Sequence, residues 1–286
     1  MTGAAGKRQI TMNTNKNYQN GNYQKRDYQN RNYPNRNYQK ELDKITADID
    51  KKKDNGNADV PTLFLHSCCA PCSSYVLEYL RRYFRITVFY YNPNITEEPE
   101  YRKRVAEQKR LIAAYNKEAK RAEQNSAAAM QRMQETQDKD WVGGQGDRIP
   151  YEIEVTEGEY EPERFYEIAR GLEQCPEGGE RCFACYALRL RETAKRAQAG
   201  GYDYFTTTLT ISPLKNAAKL NEIGERLAQE YGVAWLPSDF KKKNGYKRSV
   251  ELSREYELYR QDYCGCVYSR MQREQVSRVE KVDKYD

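Results

Sequence analysis

Thr62-Leu-Phe-Leu-His-Ser-Cys-Cys-Ala-Pro-Cys-Ser-Ser-Tyr-Val-Leu-Glu-Tyr-Leu-Arg-Arg-Tyr-Phe-Arg-Ile-Thr-Val-Phe-Tyr-Tyr91 is the stretch that decides the fold. Its opening, Thr62 to Ser67, is a short apolar run suited to a buried strand, and Ser74 to Tyr83 carries apolar residues at helical spacing. Ile86 to Tyr91 returns to β-branched and aromatic residues and predicts a second strand. Strand, helix and strand at this spacing make a βαβ unit, whose two strands run parallel.

The alternation resumes downstream, with a strand predicted near 151–156, helices near 161–172 and 184–199, and strands at 203–208 and 233–236. The fold class is therefore α/β: a Rossmann-like (HUP-like), mainly parallel sheet flanked by helices, with the ligand site at the carboxyl edge of the strands. Residues from about 117 to 149 interrupt the rhythm with an Ala/Gln/Glu/Lys-rich stretch ending in Trp141-Val-Gly-Gly-Gln-Gly146. This stretch reads as a helical insertion without chemistry of its own.

Upstream the composition changes. Tyrosines at 18, 23, 28, 33 and 38 recur every five residues in an Asn/Gln/Arg background, and residues 1–57 hold almost no aliphatic side chains. With nothing to bury, such a segment cannot offset its ordering entropy, so 1–57 is expected to be a disordered tail and 58–286 the folded domain. The tail also explains the net charge of +6. Residues 1–40 contain eight Lys or Arg against Asp27, a balance of +7, which leaves the rest of the chain near neutral. No stretch has the length and apolarity of a membrane span, and Met1 to Asn20 lacks the apolar core of a secretory signal, so a cytoplasmic protein with no membrane partner is expected.

Eight cysteines in a reducing compartment point to metal binding or electron transfer rather than structural disulfides. They fall at 68, 69 and 72, at 182 and 185, and at 264 and 266, with Cys175 apart. The first two groups lie where a strand meets a helix or a helix begins, and a helix N-terminus favours thiolate over thiol. Structural zinc is the plain alternative to iron–sulfur, but zinc ribbons space their pairs by about 15–20 residues. Cys72 and Cys182 lie 110 residues apart, so a centre assembled by the fold is favoured. Cys69-Ala-Pro-Cys72 also has the form of a thioredoxin redox pair, which accounts for only two of the eight cysteines. Cys264-Gly-Cys266 suits either a strained, easily reduced disulfide or a further metal ligand. Cys175 has no close partner.

Other residues have two readings each. His66, the only histidine, fits a packed core position better than a catalyst. Thr206 to Asn216 predicts a strand end followed by a helix with Ser212 as N-cap and Pro213 in the first turn, where Lys215 could help hold a phosphate. Lys241, Lys242, Lys243, Tyr246, Lys247 and Arg248 form the one dense basic run of the body, suited to RNA backbone contact with base stacking or to a solvated loop.

From Leu65 to about Ser269 the chain resembles the cobalamin-independent epoxyqueuosine reductases, the QueH family. The matching motifs are His-Ser-Cys-Cys-Ala-Pro-Cys (66–72), Tyr-Asn-Pro-Asn-Ile (91–95), Glu-Tyr-Arg-Lys-Arg (100–104), Gly-Gly-Glu-Arg-Cys-Phe-Ala-Cys (178–185), Phe-Thr-Thr-Thr-Leu-Thr-Ile-Ser-Pro (205–213) and Tyr-Arg-Gln-Asp-Tyr-Cys-Gly-Cys (259–266). The resemblance implies reduction of epoxyqueuosine to queuosine at the wobble position of transfer RNA, with electrons from a donor that remains unidentified. It also implies a [4Fe-4S] cluster on Cys68, Cys69, Cys182 and Cys185, a redox-active pair at Cys264 and Cys266, and a role for Cys72 at a second, mononuclear iron. Asp239, Asp262 and Tyr263 stand as candidate proton donors by neighbourhood alone. The competing readings are a zinc-stabilised RNA-binding protein and a thiol–disulfide oxidoreductase.

Overall fold

The computed structural model describes residues 36–55, 59–136 and 149–282. Five strands, β1 (Thr62–Ser67), β2 (Arg85–Tyr90), β3 (Ile153–Glu157), β4 (Tyr204–Thr207) and β5 (Ala234–Trp235), form one sheet in the order β3-β2-β1-β4-β5. Every adjacent pair is parallel. Side chains alternate between faces, as a pleated strand requires. Leu63, Leu65, Ile86 and Val88 pack against α1 (Tyr38–Asp54), α2 (Ala70–Leu80) and α3 (Glu98–Thr136), with Phe240 and Leu258 joining the same core around α7 (Gly245–Glu255). Phe64, Phe89 and Phe205 face the other way, onto α5 (Glu180–Ala199) and α6 (Ala217–Tyr231). The short α4 (Pro162–Ala169) lies against α5, and α8 (Val267–Val282) closes the described chain. The Rossmann-like α/β expectation is met.

Two boundaries differ from expectation. The end of the segment expected to be disordered, 1–57, is helix: Leu42 is fully buried, and Ile45 and Ile49 follow it on the same face, packed on the core. Three aliphatic residues at helical spacing are enough when a finished sheet face awaits them. Asn37 caps α1 by accepting from the Lys40 N–H at 3.1 Å, and Arg36 ties its start to Glu225 of α6 at 2.7 Å. The repeat tyrosines at 18, 23, 28 and 33 lie outside the described residues. The stretch expected to be an insertion from about 117 begins as a continuation of α3. Ala119 is buried, and Glu118 pairs with Arg81 at 2.8 Å and accepts from the Tyr256 hydroxyl, so this part of α3 belongs to the core. Trp141 to Gly146 lie outside the described residues.

No helix among the described residues is long and apolar enough to cross a membrane.

His66 has no exposure on β1. Its Nε2 sits 3.1 Å from the Tyr91 carbonyl, which can only accept, so Nε2 carries the proton. Nδ1 then accepts from Thr207 Oγ1 at 2.8 Å. The ring links the β1, β2 and β4 segments as a neutral core residue, in line with the structural reading. Burial, reinforced by the charge of Arg189, lowers its pKa to about 3.

Two expectations follow from this packing. Leu42→Ala should cost about 2–5 kcal/mol in denaturant unfolding, the range for a cavity in a core, whereas a disordered tail would give no change. For His66, the unfolded chain takes up a proton below its ordinary pKa of 6.5 while the native ring stays neutral. Its contribution is complete above that pH and should fall by about 1.4 kcal/mol per pH unit as the solution is acidified toward pH ~4. Being the only histidine, it can be tested cleanly: His66→Gln, whatever its baseline stability, should lose this slope between roughly pH 6 and pH 4.5.

Candidate metal centre and its pocket

The sheet order puts β1 beside β4, and the chain leaves their carboxyl ends toward opposite faces, into α2 and α6. The gap between these exits is where open α/β sheets place their ligands. Cys68 follows β1, and Cys69 is the extended N-cap of α2, with Pro71 in the first turn and Cys72 just after it. The sulfurs of Cys68, Cys69 and Cys72 all lie within 4.8 Å of one another, with Cys68 and Cys69 at 3.9 Å. Metal–sulfur bonds of about 2.3 Å in a tetrahedron set ligand sulfurs ~3.8 Å apart, so this triad has the spacing for a single ion with a fourth position left over. Hydrogen bonds from Cys68 and Cys72 hold Cys69 well below the ordinary thiol value, while Cys68 is pushed up to about 12 by the bond it gives Cys69. Cys72 is likewise raised by its bonds to the other two.

A second group gathers nearby. Cys182 and Cys185, in the first turns of α5, line one pocket together with Cys264 and Cys266. Three of these sulfurs receive hydrogen bonds: Cys182 from the Gly178 N–H at 3.2 Å, Cys266 from the Ser269 N–H at 3.3 Å, and Cys264 from Lys215 Nζ at 3.3 Å. Donors aimed at sulfur favour the thiolate and are the surroundings that tune a metal-bound thiolate. Burial pushes Cys185 up to about 11 and Cys266 up to about 12, the latter helped by the charge of Cys264. Gly265, between the two last cysteines, has φ of 111°, and a Cβ there would lie 2.8 Å from Ile95 Cγ1. Only glycine lets both neighbours reach the pocket.

The thiols thus divide differently from the expected set. Cys68 and Cys69 associate with Cys72, because a helix turn returns position 72 to 69. Cys182 and Cys185 associate with Cys264 and Cys266. All eight cysteines, Cys175 among them, are free, and Cys264 and Cys266 form no disulfide here.

Lys215 is the largest change in role. The chain after β4 makes a 3-10 turn over Thr208–Ile211, and α6 starts at Ala217 with Asn216, not Ser212, as its cap, accepting from the Lys219 N–H at 2.9 Å. Lys215 therefore precedes the helix and turns inward, where Nζ meets Glu177 Oε1 at 3.0 Å as well as Cys264. Burial opposes its charge, but Cys264, Tyr186 and Glu177 outweigh that and hold its pKa well above the usual lysine value. Arg189, one turn beyond Cys185, is buried more deeply still and donates to the Cys185 carbonyl at 3.3 Å. Neither Glu177 nor Arg189 was singled out by the sequence. Arg189 had a signal in its i+4 spacing from Cys185; Glu177 had none.

The candidate acids lie elsewhere. Asp239 pairs with Lys241 at 2.6 Å, Asp262 pairs with Arg273 at 3.4 Å, and Tyr263 lies over the Arg104 guanidinium; none lines the pocket. Three of the five cations of the basic run are paired: Lys241 with Asp239, Lys243 with Asp43 at 2.7 Å and Arg248 with Glu78 at 2.6 Å. The run also enters α7 rather than remaining a loop. Lys242, Tyr246 and Lys247 stay exposed.

Four lining residues carry buried polar atoms without a partner: Asn94 Oδ1, Arg181 Nε, Tyr186 Oη and Arg189 Nη2. Buried polar groups are almost always paired, and three of these four, Arg181 Nε, Tyr186 Oη and Arg189 Nη2, are donors that an occupant rich in acceptors would satisfy. With four soft sulfur donors and three buried cations, Arg181, Arg189 and Lys215, the walls fit an anionic, thiolate-bound metal group.

The sequence model of the family Epoxyqueuosine reductase QueH matches residues 63–272, a span that includes all seven clustered cysteines. The epoxyqueuosine reductase QueH of Staphylococcus epidermidis is 40% identical over 213 residues, covering 74% of this chain and 77% of the relative. That of Streptococcus pyogenes is 39% identical over 209 residues, covering 73% and 70%. That of Thermotoga maritima is 31% identical over 215 residues, covering 74% and 92%. This chain belongs to the epoxyqueuosine reductase QueH family.

Proposed function

We propose that this protein reduces epoxyqueuosine to queuosine in transfer RNA, using two electrons and two protons to release the epoxide oxygen as water. The observation that carries the reading is the gathering of seven thiols into two groups, three just beyond the carboxyl end of β1 and four lining one pocket, in a chain of this family. Cys182, Cys185, Cys264 and Cys266 would hold an iron–sulfur cluster, taken as [4Fe-4S], and Cys68, Cys69 and Cys72 a single iron. When bound, the cluster supplies low-potential electrons and the single ion Lewis acidity.

The chain's own residues define the rest. Asn94 Nδ2 and Arg104 Nη1 hold the Cys264 carbonyl at 3.4 and 3.2 Å, which fixes the loop bearing two of the thiols. Ser269 Oγ accepts from the Cys264 N–H at 3.0 Å and reaches Glu177 at 3.4 Å, so the start of α8 is tied to the same wall. The side chains of Arg189, Lys215 and Asn94 are less than one-tenth exposed, which keeps bulk water from their polar ends. Lys242, Tyr246 and Lys247 remain available for RNA backbone contact and base stacking.

The deciding experiment incubates anaerobically reconstituted, reduced protein with epoxyqueuosine-containing transfer RNA and follows the nucleoside by mass. Loss of one oxygen supports the reading, and an unchanged nucleoside in the presence of an intact cluster sinks it. A colourless protein that binds zinc and RNA without reducing anything would instead support the zinc-stabilised alternative. Cys264→Ala should lose the visible cluster absorbance and turnover together. Gly265→Ala, which keeps every thiol, should bind iron at least about tenfold more weakly, because its side chain pushes the loop off Ile95 and Arg104; iron titration of the apoprotein checks this.

A further inference from the structure

A lysine ammonium is costly to bury, and proteins keep one in the interior only where compensating charge surrounds it. Lys215 is 9% exposed, while its neighbour Leu214 is 61% exposed, so the backbone presents the apolar residue to solvent and the charged one to the interior. Inside, Lys215 has two partners on different segments: the Glu177 carboxylate at 3.0 Å and the Cys264 sulfur at 3.3 Å. Glu177 is itself steadied by Ser269 Oγ. Arg189 donates to a carbonyl instead, and among the described residues Lys215 is the one side-chain cation that hydrogen-bonds a sulfur of the four-thiol pocket.

We propose that Lys215 sets the reduction potential of the centre held by Cys182, Cys185, Cys264 and Cys266, with Glu177 as its counterweight. This rests on the reading above that the pocket holds an iron–sulfur group. An added electron increases the negative charge on the sulfurs. A neighbouring ammonium and its N–H···S bond therefore stabilise the reduced form over the oxidised one and raise the potential. The carboxylate behind the ammonium acts in the opposite sense. Lys215 is thus a tuning residue that needs no contact with the transfer RNA, in place of the phosphate contact its sequence position suggested.

The test is a redox titration of the full-length reconstituted protein, followed by electron paramagnetic resonance. Lys215→Met keeps the length of the side chain and removes the charge. At a fixed applied potential it should lower the reduced-to-oxidised ratio about tenfold, a downward shift of about 59 mV for one electron. Lys215→Arg should keep most of the wild-type value. Glu177→Gln, which keeps the shape and deletes the negative charge, should raise the ratio. A purely structural role for Lys215 would not move the two neutral variants in opposite directions. Intact cluster spectra with no shift, or with both shifts of one sign, overturn the proposal. If Lys215→Met assembles no cluster, the sign of the Glu177→Gln shift decides alone. A wild-type protein that takes up no cluster overturns the iron–sulfur reading, and this proposal with it.

Discussion

Because β1 pairs with β2 on one side and β4 on the other, its carboxyl end opens onto a gap that no crossover covers. The segment leaving β1 goes to one face and the segment leaving β4 to the other. Every thiol group depends on that divergence. It allows Cys68 to hydrogen-bond Thr208, the first residue beyond β4, at 3.4 Å, while α5 and the 264–266 loop bring four further sulfurs to one pocket. A chain with the same helices but β1 at the sheet edge would have no such crevice.

The walls of this crevice are unusually rich in buried cations. Arg104, Arg181, Arg189 and Lys215 are all less than one-tenth exposed. Each of the three arginines donates to at least one backbone carbonyl: Arg104 to Cys264, Arg181 to Leu172, Glu173 and Cys175, Arg189 to Cys185. They therefore fix the paths of the segments that carry cysteine while adding positive charge around sulfur. Where these sulfurs bind metal as thiolates, their negative charge would in turn offset the desolvation of the guanidinium groups.

Much of this was legible in the sequence. The run 62–91 has the periodicities of strand, helix and strand without ambiguity, and the clustered cysteines sit at element junctions, so both the sheet and the location of the site could be read. What escaped has physical reasons. The stripe of Leu42, Ile45 and Ile49 was hidden in a Lys/Asp-rich segment whose mean hydropathy favours solvent, and its helix is stable only because the core beneath accepts it. The partition of thiols depends on distances that spacing does not encode: local geometry joins 69 to 72, and only the assembled fold joins 182 to 264. Lys215 was placed at a helix start because Ser212 and Pro213 make a good one. Asn216 makes another four residues on, and that shift turns the ammonium from surface to interior.

The solitary imidazole on β1 has a use beyond its packing. Its two nitrogens touch the β4 and β2 segments at once, and no second histidine exists to overlap its signal. A single pair of ring resonances in a magnetic resonance spectrum therefore reports from the floor of the crevice, a few residues from the first thiol. Metal loading, reduction or engagement of RNA could each be followed there without introducing a label.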